Sequence, residues 1–283
     1  MTTTRASTPS VPQATGNIVL VGQPCGNTSV VLSVLQDAGL APAAVILADR
    51  ASASAQDPLE PDRPPRYRTP SPPATTRLLE DLRPDLVIAA CYPWRLSHRA
   101  RAAARYGILN IHPSLLPNGR GPDPVFWVYR HGARETGVTL HLMDDGLDTG
   151  PILAQQRMTV PAGMSALTLE QHLFETGARL TACVVPRVLA EEAVAVRQDD
   201  LAATYNPAPA AHDWIISPLL PAAWAWRFVQ GVAPLHGPLA VHMHGKLVPV
   251  RRILAWGEHG DPPVDLAAGA IAIQFRPGWA VFE

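Results

Sequence analysis

The sequence has no excess of positive charge and almost no lysine. Lys and Arg together number 23 against 24 Asp and Glu, and Lys246 is the single lysine in 283 residues. Proteins that bind nucleic acid along a general surface normally carry net positive charge, because affinity grows with the number of phosphates that basic side chains neutralise. The composition therefore disfavours a general nucleic-acid binder, although a local basic patch stays an alternative.

Long hydrophobic runs and cysteine pairs are also missing. The longest apolar stretches, such as 86–92, have the length of buried strands, well short of the roughly 18 to 20 residues that a membrane helix needs. The three cysteines lie far apart without a CxxC pair, which disfavours disulfides and cysteine metal sites and favours a reducing cytoplasm. Residues 1–10 lack the apolar core of a secretory signal, so we expect residues 1–16 to form a disordered tail.

The chain opens with the pattern of a βαβ unit. An apolar run at 17–22, a helical pattern at 29–38 and a second apolar run at 44–48 follow one another. These and the later apolar runs predict an α/β fold, in which a Rossmann-like, mostly parallel sheet has helices on its faces. The later predicted strands are 85–90, 108–112, 136–143 and 152–160, and the later predicted helices are 78–82, 98–106 and 165–195.

Two segments interrupt this pattern. Residues 50–73 hold seven prolines and no periodic apolar face, which predicts a long surface loop. The Pro/Ala segment 204–210 is typical of a linker, and a Trp-rich helix and short strands at 239–243, 247–254 and 270–275 follow it. We therefore divide the chain into the tail, a main domain at 17–203, and a linker with a small β-rich, truncated OB-like domain at 204–283.

Two segments carry candidate chemistry. In Asn110-Ile-His-Pro-Ser-Leu-Leu-Pro117, alternation along a strand puts Asn110 and His112 on one face, at the carboxyl end where open α/β sheets bind ligands. An acidic, glycine-containing turn ends in Asp148. An amide can stabilise an oxyanion, a histidine can move a proton, and a carboxylate can orient the histidine. Taken separately, a structural histidine and an ordinary Asp-Gly turn are the simpler interpretations.

Taken together, the motifs resemble the folate-dependent formyltransferase family. The resemblance rests on Asn110 to Pro117, on Arg120-Gly-Pro-Asp-Pro124, and on the segment from Gly137 to Leu153. His112 and Asp148 are 36 residues apart, which fits the family spacing. The resemblance covers about residues 17–200 and implies an enzyme whose formyl donor is 10-formyltetrahydrofolate, with no metal.

The resemblance also implies the site residues. The catalytic residues would be Asn110, His112 and Asp148. The residues that would contact the folate are Trp94, Leu96, Ser114, Leu115, Leu116, Pro117, Met143, Asp144 and Asp145. The large indole of Trp94 departs from the family pattern, and stacking on the pterin and ordinary core packing are equal alternatives for it. The first turn, with Gly26, Asn27 and Thr28, is a candidate for contact with the acceptor, but a simple strand-to-helix turn is the preferred interpretation of it.

The charge distribution is the evidence that the sequence offers on the amine acceptor. Residues 205–283 carry five basic and five acidic side chains, and the arginines of 50–73 are nearly balanced by acids. This favours a small-molecule amine, such as an amino-sugar nucleotide, a hydroxyornithine-type amino acid or a carrier-bound aminoacyl group, over initiator tRNA. The open alternatives are tRNA formylation, a non-catalytic folate-binding relative, and hydrolysis of the formyl-folate. The second domain is expected either to form a homodimer or to shape the acceptor site.

Overall fold

A computed structural model describes residues 16–49, 64–243 and 245–283, together with the backbone of Ala55–Gln56. The predicted tail therefore lies outside the described residues, apart from Gly16, and so does most of the first part of the predicted loop at 50–73. The strands are β1 (Ile18–Gly22), β2 (Ala44–Ala48), β3 (Ala55–Gln56), β4 (Arg66–Thr69), β5 (Leu86–Ala90), β6 (Ile108–His112), β7 (Glu135–Leu142), β8 (Ile152–Thr159), β9 (Ile215–Ile216), β10 (Ala240–Met243), β11 (Lys246–Pro249), β12 (Ile253–Gly257), β13 (Ile271–Gln274) and β14 (Trp279–Phe282). The helices are α1 (Gly26–Asp37), α2 (Pro72–Leu82), α3 (His98–Ala102), α4 (Pro124–Arg130), α5 (Ala166–Leu189) and α6 (Ala222–Val232).

An eight-stranded sheet forms the body of the protein, in the order β3-β4-β2-β1-β5-β6-β7-β8. Strands β4, β2, β1, β5 and β6 are parallel to one another, whereas β3 pairs antiparallel with β4, and β7 pairs antiparallel with both β6 and β8. Every residue of β1, β2 and β5 is buried, as expected for central parallel strands with helices on both faces. The predicted fold class is confirmed, including the β-rich C-terminal region.

Strand order reverses at β1, because the chain builds outward to β2 and β4 on one side and to β5 and β6 on the other. A crevice forms at such a switch point, outside the carboxyl ends of the strands, and ligands of open α/β sheets bind there. Asn110 and His112 lie on the last strand of the parallel set. The topology therefore places them at this edge.

Three predictions of local structure were wrong. The end of the predicted loop at 50–73 contains β4, which pairs with β2, and Pro72 and Pro73 begin α2, where a missing N–H costs nothing. The predicted strand at 247–254 is two strands in different sheets, which separate after Pro249. The sequence analysis also missed α4, which begins at Pro124.

The C-terminal region contains α6 and two three-stranded sheets. Its core continues into that of the main sheet, because one hydrophobic cluster holds residues from both regions. Phe126 on α4 links them: its ring centroid lies 4.8 Å from that of Trp214 and 5.8 Å from that of Phe228. The domain boundary at 203/204 and the likeness to a truncated OB fold stay predictions.

Helix α5 covers the face of β6 and β7 opposite Asn110 and His112. Its Gly177 is buried, and a methyl group added there would overlap Cγ2 of Ile111 and lie 3.0 Å from Cγ2 of Val138. Close approach of this helix backbone to the sheet therefore depends on the missing side chain.

We expect Gly177→Ala to destabilise the protein. Overpacking a core costs roughly 1–3 kcal/mol, which exceeds the gain of up to about 1 kcal/mol in helix propensity from replacing glycine by alanine. Urea unfolding measures the difference. Gly26→Ala is the control, because no atom lies within 4 Å of an added methyl group there. Equal stability of the two variants would contradict the packing argument.

Candidate active site

Asn110 and His112 stand on the same face of β6, and Ile111 between them packs under α5. Asn110 is half-buried, while the side chain of His112 is only 6% exposed. Pro113 ends the strand, and the chain turns so that the Ser114 N–H donates to the His112 carbonyl at 2.9 Å. The two predicted side chains thus reach the edge of the sheet together.

A second histidine, His141, lies beside them. Strand β7 pairs antiparallel with β6 so that His141 is opposite Asn110, and its side chain is 1% exposed. Its Nδ1 lies 3.1 Å from the Leu142 carbonyl and its Nε2 lies 3.0 Å from Asn110 Nδ2. A carbonyl only accepts, so Nδ1 carries the hydrogen in the neutral ring and Nε2 accepts from the Asn110 amide. The amide of Asn110 is oriented by this bond.

Burial is the main reason that His141 stays neutral. Desolvation, followed by the nearby charge of His112, lowers the pKa of His141 from 6.5 to about 4. At neutral pH the ring therefore acts as a hydrogen-bond acceptor and not as a cation.

The carboxylate of Asp148 lies between the two imidazoles. Its Oδ1 is 3.8 Å from His112 Nδ1 and 3.7 Å from His141 Nε2, while its Oδ2 accepts the Gly121 N–H at 2.9 Å. The backbone of Asp148 is left-handed, with φ at 56°, and its side chain is 13% exposed. The contacts to the imidazoles are longer than hydrogen bonds, so the Gly121 N–H is the group that holds the carboxylate.

The tautomer of His112 follows from its neighbours. Nε2 lies 2.9 Å from the Gly119 carbonyl, so it donates, and Nδ1 is left facing Asp148. A second proton on this ring would therefore sit on Nδ1, beside the carboxylate. The structure brings the three predicted catalytic residues together, and the hydrogen bond that fixes His112 comes from Gly119.

The predicted folate segment at 114–117 leaves the end of β6 and is tied to β7. The Thr139 hydroxyl donates to the Ser114 carbonyl at 2.6 Å and accepts the Leu116 N–H at 3.1 Å. Ser114, Leu115 and Leu116 line a cavity of about 430 Å³. Pro117 lies outside the set of residues that line this cavity.

The remaining predicted folate residues lie along two facing segments. Leu96 is buried in an apolar cluster against which Met143 packs, and Trp94 is half-buried, edge-to-face with Tyr92 at 5.8 Å between centroids. On the exposed turn, Asp144 accepts the Gly146 N–H at 3.0 Å and Asp145 pairs with Arg101.

The predicted acceptor residues Gly26, Asn27 and Thr28 form the start of α1, beside the end of β5. The Thr28 hydroxyl donates to the Ala90 carbonyl at 3.4 Å. Burial raises the pKa of the neighbouring Glu170, and the side chain of Asn27 offsets part of this rise. Cys25 is also here. Its Sγ lies 3.5 Å from the Thr28 hydroxyl, and the neighbouring thiol of Cys91 is the largest influence that lowers its pKa. The turn therefore holds several polar groups close to the end of β5.

Sequence reasoning missed three residues of this site. Alternation along the predicted strand 136–143 could have placed His141 on the face of β7 that carries Thr139. Arg120 belongs to a motif that carries the resemblance, but local pattern could place neither Arg120 nor Gln198 in the site, because their contact joins residues 78 positions apart. Both are buried within the site.

In the part of the chain that the structure describes, no three His, Cys, Asp or Glu side chains are grouped so that they could hold a metal ion. None of the helices in the same ranges is long and apolar enough to cross a membrane.

We expect His141 to make the protein acid-sensitive. The pKa of His141 is 6.5 in the unfolded chain and about 4 in the folded protein. Between these pH values the unfolded chain therefore binds more protons than the folded protein, and the free energy of unfolding decreases as the pH falls. Between pH 7 and 4.5, wild type should lose about 2 to 3 kcal/mol more unfolding free energy than His141→Gln, whose amide oxygen still accepts from Asn110. Urea unfolding at both pH values measures this difference. The exposed His242→Gln is the control, and parallel losses in wild type and His141→Gln would refute the assignment.

Comparison with known proteins agrees with this geometry. Residues 31–185 match the formyl transferase family model, which is more than half of the chain. The chain is 40% identical over 157 residues to methionyl-tRNA formyltransferase of Thermosynechococcus vestitus, a match that covers 54% of this chain and 45% of the relative. It is 32% identical over 219 residues to that of Myxococcus xanthus, with 76% and 68% covered.

A solved structure shares the fold over almost its whole length. The N-formyltransferase of Helicobacter canadensis, in complex with folinic acid and dTDP-3-aminofucose, superposes with a TM-score of 0.69 at 13% identity, over 94% of this chain and 98% of the other. The resemblance seen in the sequence is thus confirmed, and the chain belongs to the formyl transferase family.

Proposed function

We propose that this protein transfers a formyl group from 10-formyltetrahydrofolate to an amine. The observation that carries the proposal is the buried cluster of Asn110, His112 and Asp148 at the carboxyl edge of the sheet. Membership of the formyl transferase family supports it, and so does the fold shared with a protein solved with folinic acid. In this reaction 10-formyltetrahydrofolate is a co-substrate that is consumed together with the amine.

The segments beside the cluster suit a folate. Met143, half-buried against the apolar cluster that contains Leu96, offers an apolar surface, and Trp94 adds an aromatic ring that is half-buried. The turn with Asp144 and Asp145 adds polar groups next to this surface. A pterin has an apolar face and a polar edge, which is the combination that these residues provide.

The reaction begins when the free amine attacks the formyl carbon. A C–N bond forms, and the formyl oxygen becomes an oxyanion. The Asn110 amide, oriented by its bond to neutral His141, turns its second N–H to this oxyanion, and loss of one such donor typically costs about 3 to 4 kcal/mol of barrier. Once His112 has taken the proton that the amine loses, its positive charge also helps to stabilise the oxyanion.

Proton transfer completes the exchange. His112 Nδ1 receives the proton that the attacking amine loses, and Asp148 Oδ1 offsets the positive charge of the imidazolium. The bond between the formyl carbon and the folate nitrogen then breaks, and that nitrogen takes the proton. Tetrahydrofolate and the formylated amine leave.

For the acceptor, the relatives favour an aminoacyl-tRNA. The curated relatives with 29–40% identity are methionyl-tRNA formyltransferases. The amino group of methionyl-tRNA is therefore the first candidate, ahead of the small amine that charge alone predicts. The chain spans 45% of the length of one relative and 68% of another. The proposal that tRNA is the acceptor therefore rests on similarity to only part of those proteins.

A small-molecule amine is the second candidate. Residues 205–283 carry equal numbers of acidic and basic side chains, which is unusual for a surface that holds a polyanion. The fold is also shared with a protein solved with an amino-sugar nucleotide.

We expect His112→Ala to lower formyl transfer by about 100- to 10,000-fold, since it removes the group that moves the proton. Tetrahydrofolate release and product mass measure transfer, and binding of folinic acid, a stable formyl-folate, measures the folate site. That binding should be retained. His242→Ala, at an exposed position, is the control. Transfer at the wild-type rate by His112→Ala would overturn the mechanism.

An acceptor panel at two salt concentrations separates the candidates. The panel holds methionyl initiator tRNA, amino-sugar nucleotides and hydroxyornithine. If tRNA is the acceptor and about six phosphates are contacted, kcat/KM should fall about a thousandfold between 50 and 200 mM salt, whereas transfer to a small amine should change little. Folinic acid binding without transfer to any amine would indicate a binding protein, and formate release without an acceptor would indicate hydrolysis.

A further inference from the structure

Gln198 lies behind Asp148, fifty residues further along the chain. The residue is 6% exposed, and its amide makes four hydrogen bonds. The Nε2 group donates to the carbonyls of Asp148 at 2.9 Å and Gly150 at 2.7 Å. The Oε1 atom accepts from Arg120, from Nε at 3.1 Å and from Nη2 at 2.9 Å. Every donor and acceptor site of this amide is therefore occupied.

Arg120 fixes the position of Gln198 in turn. The residue is 2% exposed, and its guanidinium also donates to Asp200 at 2.8 Å and to the Tyr205 hydroxyl at 2.9 Å. Its backbone is paired with the segment that follows Gln198, because the Arg120 N–H donates to the Thr204 carbonyl and its carbonyl accepts the Asn206 N–H. A buried, fully paired arginine is a rigid anchor.

Asp148 is thus held at both ends by neighbouring parts of one network. Gln198 binds its backbone carbonyl, and Gly121, the residue after Arg120, binds its carboxylate at 2.9 Å. Asp148 has the left-handed backbone that side chains rarely adopt, so it needs such contacts to stay there. Neither imidazole supplies this restraint, because both lie beyond hydrogen-bond distance from the carboxylate.

We propose that Gln198 is a positioning residue that fixes the Asp148 carboxylate between His112 and His141. It acts through the backbone of the turn at 148–150 and touches no reacting atom. Its role in catalysis rests on the proposed function, since it matters there only if Asp148 assists the proton transfer. Arg120 holds Gln198 in the orientation that this requires.

Two substitutions separate positioning from simple structural support. Gln198→Glu keeps oxygen acceptors for Arg120 and removes both donors to the turn. Gln198→Met removes all four hydrogen bonds. Asp200→Asn is the matched control. The side chain of Asp200 is 65% exposed, and its substitution weakens an outer partner of Arg120 while the amide of Gln198 stays in place.

Kinetics give the first measurement. We expect Gln198→Glu and Gln198→Met to lower kcat by about 10- to 100-fold with KM for the folate changed less than twofold, as a small misplacement of a catalytic group does. Asp200→Asn should keep the wild-type kcat. Wild-type kcat in Gln198→Glu would overturn the proposal, because the hydrogen bonds that position 198 accepts from Arg120 would then be enough for catalysis without the bonds to the turn.

Amide hydrogen exchange gives a measurement that needs no activity. The Gly121 N–H reports directly on the Asp148 carboxylate, so its exchange should become at least tenfold faster in both Gln198 variants and stay unchanged in Asp200→Asn. Unchanged protection in a folded Gln198→Glu would refute the positioning role. If Gln198→Met does not fold, Gln198→Glu decides the test.

The two readouts also keep this inference apart from the proposed function. If the wild-type protein transfers no formyl group but the Gly121 exchange responds as expected, the proposed function fails and Gln198 still positions Asp148. If transfer occurs and neither readout responds to Gln198→Glu, the proposed function stands and the positioning role fails.

Discussion

The proposed chemistry of this protein depends on one carboxylate held between two imidazoles. Asp148 Oδ1 lies within 3.8 Å of a nitrogen of both His112 and His141. The rings differ in what else they bind: His112 donates from Nε2 to the Gly119 carbonyl, and His141 donates from Nδ1 to the Leu142 carbonyl. One ring is thereby left with a nitrogen that faces the carboxylate, and the other with a nitrogen that orients an amide. This division gives three common residue types the groups that the proposed acyl transfer needs.

The fold supplies this arrangement through a change of strand direction. Parallel strands bring Asn110 and His112 to the carboxyl edge, and antiparallel β7 then places His141 directly opposite Asn110. The close approach of α5 at Gly177 supports these strands from the other face. The segment after α5 returns to the turn that carries Asp148 and joins it through Gln198. Residues far apart in the chain are therefore fixed within one cluster.

Part of this could be predicted from the sequence. Continuous apolar runs predicted β1, β2, β5 and β6 to within a residue, and alternation placed Asn110 and His112 on one face. The hydrogen bond of His141 to Asn110 depends on the register between two strands, and the contacts of Gln198 depend on tertiary packing, so local patterns give neither. Strand β4 was missed because prolines surround it and it has no apolar run.

The acceptor is the point on which sequence relatives and charge disagree. Relatives favour methionyl-tRNA, while the balanced charge of residues 205–283 favours a small amine. Both acceptors present a primary amine to the same formyl carbon, so the catalytic cluster serves either. Discrimination between them must therefore come from surfaces outside the cluster.

A neutral His141 that orients Asn110 beside the carboxylate is the feature on which the proposed mechanism most depends. The most direct test is ¹⁵N NMR of the histidine side chains, with His141 assigned from the His141→Gln spectrum. The His141 ring should be neutral and protonated on Nδ1 throughout pH 5.5 to 8, as follows from a pKa lowered to about 4. A ring protonated on Nε2, or one that becomes charged near pH 6.5, would contradict it, because Asn110 would then lose the acceptor that orients its amide.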